Sequence, residues 1–248
     1  VVPLKIAAVS YLNTFPFVYG IIRSGLLDDF TLELDIPSAC AEKLKSGEAD
    51  ISLVPAGALH EMGDYEVVSG YCLGAVKEVR TVLLLSQKPL HEIRRIHLDG
   101  DSRTSVELVK ILATHVWNIH PEFVNLTGNE LSVYQGRESL VVIGDKTFSL
   151  RQHYPYVYDL AAEWIRFTGF PFVFAIWIAQ RKLPTRRAAA FAKALEYGVN
   201  HIPESLEFFS ERVPACDDCL SYLEQNISYI LDEEKKKGLA LFLNYLKK

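Results

Sequence analysis

Short apolar runs alternate with segments of helical period through the first half of the chain, and this alternation restricts the fold more than any other feature. Leu4–Val9 reads as a buried strand, and Pro16–Arg23 reads as a helix stopped at Ser24-Gly25. Thr31–Asp35 reads as a second strand. Ser38 is placed to cap a helix that runs to Ser46 and stops at Gly47. Asp50–Val54 is a third apolar run, ending at Pro55. Strands that alternate with helices imply a mostly parallel sheet, and in such sheets ligands sit at the turns where strands feed helices. The first such turn is Ser10-Tyr11-Leu12-Asn13-Thr14.

Further along, Val67–Tyr71 and Ala75–Ser86 read as strands, broken by Lys88-Pro89, where we expect a crossover between lobes. Arg95–Leu98, Glu122–Leu126 and Ser139–Ile143 are strands of a second unit. Val106–Trp117 is its main helix, with Thr104 and Glu107 at the spacing of a capping box. Tyr158–Phe167 reads as a helix and Phe172–Ala179 as a strand crossing back. The remainder reads as helices at Arg186–Gly198, Pro203–Arg212, Asp217–Leu231 and Asp232–Leu246. The expected fold class is therefore α/β with two lobes and an interlobe cleft. Residues 1–87 and 179–248 form the first lobe with the C-terminal helices, and residues 88–178 form the second.

Composition narrows the function. The 248 residues carry a formal charge of −5, so there is no basic footprint for nucleic acid. No run of about 20 apolar residues is present to span a bilayer, and Val1–Val9 is too short for a secretory leader. The four cysteines fit a reducing compartment. Cys216 and Cys219 have redox spacing without the strand–helix setting of a redox motif, and read as two ordinary thiols. The seven histidines form no metal-ligand pair, and GxSxG, P-loop and GxGxxG patterns are absent. The sequence carries no signal for oligomeric state.

The chemistry that remains is that of neutral donors around an anion. Ser102, Arg103, Thr104 and Ser105 open a helix, whose unpaired N–H groups attract negative charge. The same residues serve equally as a helix cap with Arg103 directed to water. Asn13 can donate and accept at once, or hold its own turn. Tyr11 and Ser10 flank it. Ser86, at the end of a buried strand, is a candidate cleft hydroxyl, and Asp145 after Gly144 is a candidate acid, base or turn residue.

Several of these pieces together resemble a known family. Ser10-Tyr11-Leu12-Asn13, the Gly47–Pro55 unit, Leu98–Ser105 with its Ser-Arg-Thr-Ser, Ile143-Gly144-Asp145 and Tyr158-Asp159-Leu160 through Thr168-Gly169-Phe170-Pro171-Phe172-Val173-Phe174-Ala175 occur in the order found in chorismate dehydratases, over roughly Val9 to Trp177. The resemblance implies a type II periplasmic-binding-protein-like fold in a cytoplasmic enzyme of the futalosine route to menaquinone. It implies a small-molecule substrate, chorismate, with no cofactor, no metal and no nucleic-acid or membrane partner. In that reading Asn13 is catalytic, and Ser10, Tyr11, Ser86, Ser102, Arg103, Thr104, Ser105 and Asp145 bind substrate. The related dihydroxynaphthoate synthase has a different, Pro-Asn-Asp-rich first loop. A non-enzymatic binding protein for a small aromatic or carboxylate anion is the alternative of another class.

Overall fold

The computed structural model describes residues 3–126, 131–216 and 218–247; Val1 and Asp217, which enter the sequence reading, lie outside them. β1 (Leu4–Val9) is buried except at Lys5, and a 3-10 turn at Leu12–Thr14 feeds α1 (Phe15–Arg23). Pro16 sits in the first turn of α1, where the N–H it lacks would have had no helical partner. β2 (Phe30–Asp35), α2 (Pro37–Ser46) and β3 (Ile51–Pro55) follow. The start of α2 falls on Pro37 rather than after Ser38: Ile36 is extended before it, and the fixed φ of proline begins the helix.

β4 (Glu66–Ala75) and β5 (Val82–Ser86) are separated by a loop in which Arg80 takes a positive φ of 66°. The apolar run expected as one strand from Ala75 is broken there. β6 (Arg95–Leu98) leads into α3 (Arg103–His115). Ser102, not Thr104, caps α3: its hydroxyl oxygen accepts from Ser105 N at 3.2 Å. β7 (Glu122–Asn125), α4 (Leu131–Tyr134), β8 (Ser139–Ile143) and α5 (Lys146–Leu150) come next.

Tyr158 and Asp159, expected in a helix, instead end β9 (Tyr156–Asp159). α6 (Leu160–Thr168) starts only at Leu160, because the Asp159 carboxylate caps it by accepting from Ala161 N and Ala162 N, both at 3.1 Å. β10 (Phe172–Ala179), α7 (Thr185–Val199) and α8 (Ile202–Phe208) are near their expected positions. The long helix expected to Leu231 is not continuous. It is α9 (Cys219–Ser221), a π-helical turn at Tyr222–Asn226, and β11 (Ser228–Ile230), before α10 (Glu233–Leu246). Cys216 and Cys219 are joined as a disulfide rather than left as two thiols, with Cα atoms 5.7 Å apart.

The strands form two sheets, ordered β11-β4-β10-β3-β1-β2 and β7-β6-β8-β5-β9. Both are mixed, where mostly parallel sheets were expected. β1 runs parallel to β2 and β3, but β10 is antiparallel to β3 and β4. In the second sheet β6 is parallel to β7 and β8, whereas β5 is antiparallel to β8 and β9. β5 belongs to the second sheet and β10 to the first, so the chain changes sheets at 76–81 and again before Phe172. Both crossings precede the breaks at 87/88 and 178/179 read from the sequence.

The first lobe is locked by an aromatic contact and a close helix pair. The Trp177 ring of β10 meets the rings of Phe17 at 5.7 Å and Phe191 at 5.1 Å, both edge-on. α1 and α7 approach so closely at Gly20 and Gly198 that a Cβ on Gly198 would overlap the Pro16 carbonyl. Gly198→Ala is therefore expected to lower stability by about 1–3 kcal/mol, the usual range for overpacking. Urea denaturation of the variant measures this, and an unchanged midpoint would mean that the helices can part freely.

Candidate active site between the sheets

Three loops converge where the sheets face each other. The turn after β1 brings Tyr11 and Asn13, the first crossing brings Val79 and Thr81, and the α3 N-terminus brings Ser102 and Ser105. With Gly144 after β8 and apolar walls from Leu73, Val82, Ile143 and Phe174, they line a narrow, half-open cavity of about 50 Å³. That is well below the room a ring dicarboxylate needs, so the lobes must part to admit one. The carboxamide on one rim and the positively polarised helix end on the other thus face a single space.

The lobes are stitched together around this cavity. Leu12 N donates to both carboxylate oxygens of Asp145, each at 3.2 Å. Ser38 N donates to Asp101 O at 3.2 Å. The Tyr11 hydroxyl donates to Asp101 Oδ2 at 3.5 Å. Thr104 is fully committed as well: its hydroxyl accepts from Gly57 N at 3.0 Å and donates to Phe174 O at 3.2 Å.

Of the expected site residues, Tyr11, Asn13, Ser102 and Ser105 reach the cavity wall. Asp145 stands beside it on the Leu12 amide, and Thr104 is buried in the seam between lobes. Ser10 does not reach the wall; its main-chain N–H donates to Asp35 O at 3.0 Å. Arg103 points the other way, into an outward groove with His60 and Glu107. Its guanidinium pairs with Glu42 at 2.8 Å and with Glu61, so it does not clamp a ligand in the cavity. Ser86 lies at the far end of β5, where its hydroxyl meets Ser139 Oγ at 2.8 Å and Lys88 O at 2.7 Å. Because β5 is antiparallel to β8, pairing Val82 with Ile143 and Ser86 with Ser139, the cleft end of β5 is its beginning. The cleft hydroxyl is therefore Thr81, the first residue of the apolar run that ends at Ser86.

Behind Tyr11 lies a charge cluster that the sequence reading did not assemble. Asp99 is fully buried. It accepts from Tyr134 OH at 3.1 Å, Asp101 N at 3.2 Å and Ile143 N at 3.3 Å, and it pairs with Lys146 Nζ at 2.9 Å. Lys146 also reaches Asp101 at 3.2 Å and donates to Tyr134 OH at 2.6 Å. Burial raises the Asp99 carboxyl above its ordinary range, with Lys146 opposing. Burial opposes the charge on Lys146, but Asp99 and its other acceptors outweigh that and hold its pKa high. Two carboxylates against one ammonium leave the field behind the cleft negative. Burial first, and then Asp101, Asp99 and Asp145, push the Tyr11 phenol far up, so it stays protonated. The adjacent Asp99-Gly100-Asp101 and Lys146 were the only signals for this cluster, and nothing local linked them.

The cavity is thus lined, among the described residues, by neutral donors and apolar groups, with a phenol as its only titratable group. Among the described residues, no three His, Cys, Asp or Glu side chains converge as metal ligands, and no helix is long and apolar enough to cross a membrane. The arrangement can hold an anion at the α3 N-terminus, lay an apolar ring against Leu73, Val82 and Phe174, and place a carboxamide over it.

A family model described as menaquinone biosynthesis matches residues 4–248. The chain is 25% identical to the chorismate dehydratase of Thermus thermophilus, over 98% of this chain and 95% of that one. Among solved structures it is similar to protein AF1704 from Archaeoglobus fulgidus, with a TM-score of 0.79 at 13% identity over 99% and 97% of the two chains. It is also similar to the periplasmic aliphatic sulphonate binding protein SsuA from Escherichia coli, with a TM-score of 0.60 at 13% identity over 99% and 93%. The fold is that of the periplasmic binding proteins.

Asp145 gives the stitched cleft a pH dependence. Burial pushes its carboxyl up to about 6, partly offset by the Leu12 N–H. The unfolded carboxyl titrates near ~3.9, so the folded chain holds the proton more tightly. The resulting stability is full below the unfolded value and is lost as pH rises through about 6. Asp145→Asn removes this ionisation. The urea midpoint of the wild type relative to D145N should fall between about pH 4 and about pH 7; parallel curves would show that the carboxylate is not held out of water.

Proposed function

The chain belongs to the menaquinone biosynthesis family, and from that premise we propose that it is a chorismate dehydratase, eliminating water from chorismate to give 3-[(1-carboxyvinyl)oxy]benzoate. The observation that carries this reading is the meeting of Asn13 with Ser102 and Ser105 on one narrow cavity whose lining, among the described residues, holds no carboxylate, imidazole or amine. The likeness to the Thermus dehydratase supports it. The cytoplasmic location belongs to the same proposal.

Chorismate is a dicarboxylate built on a cyclohexadiene ring. One carboxylate is on the ring and the other on the enolpyruvyl arm. Elimination takes a proton from the ether-bearing carbon and the hydroxyl from its neighbour; the C–H pair becomes the new double bond, and the hydroxyl leaves with the proton as water. The proton is acidified through the double bond conjugated with the ring carboxylate, and aromatisation drives the step. A strong protein base is therefore unnecessary. The enolpyruvyl carboxylate, held beside the ring, serves as the proton acceptor.

The protein's part is binding and geometry. Ser102, Ser105 and the α3 N-terminus hold a carboxylate through hydroxyl and N–H donors. The Tyr11 phenol, locked in its protonated form with its hydrogen given to Asp101, lines the site without competing for the proton. Asn13 donates to the leaving hydroxyl. Fixing the ring and the acceptor in one conformation supplies the larger share of the acceleration.

Incubation with chorismate should remove the diene absorbance and yield the aromatic enol ether. Binding without turnover would instead indicate a carrier of the same fold, and neither binding nor turnover would leave the sister synthase activity. Asn13→Ala should lower kcat by about 10²–10³-fold, the usual effect of deleting one donor to developing charge. Arg103→Ala should leave kcat/KM within about twofold, because its charge is neutralised outside the cavity and screened. A large rise in KM for R103A would return that side chain to the binding site.

A further inference from the structure

Parting the lobes breaks contacts as well as making room, and one of those contacts bears on the reacting loop. Leu12 opens the 3-10 turn Leu12–Thr14 that carries Asn13. Tyr11 stands in the cap position before it but offers the turn no side-chain bond. A main-chain N–H shut away from water needs an acceptor, and here it comes from the opposite sheet: both carboxylate oxygens of Asp145 accept from Leu12 N, each at 3.2 Å. Tyr11 and Asn13, on either side of Leu12, line the cavity, as does Gly144 beside Asp145. Gly144 N donates to Thr81 O at 2.9 Å, which ties this end of β8 down. The close approach is built into the chain. Gly144 has a φ of 67°, and a Cβ on it would lie 3.0 Å from three atoms of the Tyr11 ring, so glycine lets Asp145 come within reach of the loop.

A second bond holds the same loop from its own side. The Tyr229 hydroxyl, on β11, donates to Asn13 O at 3.2 Å, and β11 lies in the same sheet as β1. The two bonds bracket the Leu12–Asn13 dipeptide, one at the N–H of its first residue and one at the carbonyl of its second. The Tyr229 bond lies within the first lobe and survives opening. The Asp145 bond spans the lobes and does not. The loop therefore has both restraints only with the sheets facing each other as they do here. That matters for a donor to a reacting group, because a misplacement of about 1 Å can cost about 10²-fold in rate. Asp145 itself stands outside the cavity lining.

We propose that Asp145 is a positioning residue: its carboxylate grips Leu12 N across the cleft and thereby sets the Asn13 carboxamide against the leaving hydroxyl. This inference rests on the dehydratase reading. The carboxylate does not touch the reacting atoms and takes no proton. It acts through Leu12 and Asn13, so the substrate meets a fixed donor only in the closed form.

The test begins with wild-type turnover of chorismate. Its absence would overturn the dehydratase reading and this inference together; its presence lets the variants judge positioning alone. Asp145→Ala removes both acceptors. It should lower kcat by about tenfold or more, as the loss of one buried hydrogen bond to a charged group would, with KM changed less than about threefold. Asp145→Asn keeps one oxygen for Leu12 N and should hold kcat within about threefold of wild type, whereas a carboxylate that took the proton could not be replaced by a carboxamide. In the N13A background, D145A should cost less than about twofold more, because the residue through which it acts is gone. A mere loss of folded protein would lower activity alike in both backgrounds. Asp145→Leu keeps the shape of the side chain without its acceptors; it covers the case in which D145A does not fold, and should lose about as much kcat. The proposal is overturned by D145A or D145L within about twofold of wild type, by D145N as slow as D145A, or by a D145A effect on N13A as large as that on the wild type.

Discussion

Four main-chain N–H groups converge on the carboxylate of Asp159, and the geometry of the cleft depends on them. Ala161 and Ala162, each at 3.1 Å, belong to the first turn of α6. Val79 at 3.0 Å and Arg80 at 2.7 Å belong to the loop where the chain passes from one sheet to the other. One half-buried side chain therefore caps a helix and also holds Arg80 in its positive-φ conformation. Burial raises the carboxyl, and the four donors oppose that rise. Holding Val79 and Arg80 sets the direction in which Thr81 leaves the loop, and Thr81 lines the cavity. Local geometry at a crossing thus reaches the site through two hydrogen bonds.

Much of the architecture was legible because it is written locally. β1, its polar turn and α1 are contiguous, and the apolar period there has no competing reading. The same logic singled out Asn13, Ser102 and Ser105, which the fold brings to one cavity wall, since turns after strands and helix N-termini announce themselves in sequence. The errors came where direction or distant partners decide. Ser86 was read as a cleft hydroxyl because it ends a buried strand beside the expected crossover; the chain changes sheets before β5, not after it, so Thr81 at the other end lines the cavity. Arg103 sits beside two cleft serines in sequence, but helical rotation turns it outward to Glu42 and Glu61.

The groups behind the cavity wall were illegible for a different reason. Asp99, Asp101 and Lys146 meet only because β6 and β8 are neighbours in the sheet, and no short motif encodes that pairing. Their role is to keep a tyrosine protonated and in place rather than to react. The helix expected at Asp217–Leu231 hid Tyr222 and Tyr229 as ordinary core residues. An apolar stretch with helical period does not reveal that its backbone widens into a π turn and then pairs as a strand with β4.

That last segment also decides when the molecule becomes competent. Asn13 follows the first strand, whereas the phenol that grips its carbonyl is 216 positions later. A nascent chain can complete most of both sheets and still lack the rear support of its own donor. Competence therefore waits for the segment that carries β11, and a chain that stops short of it has no finished chamber in which to commit a reactive diene.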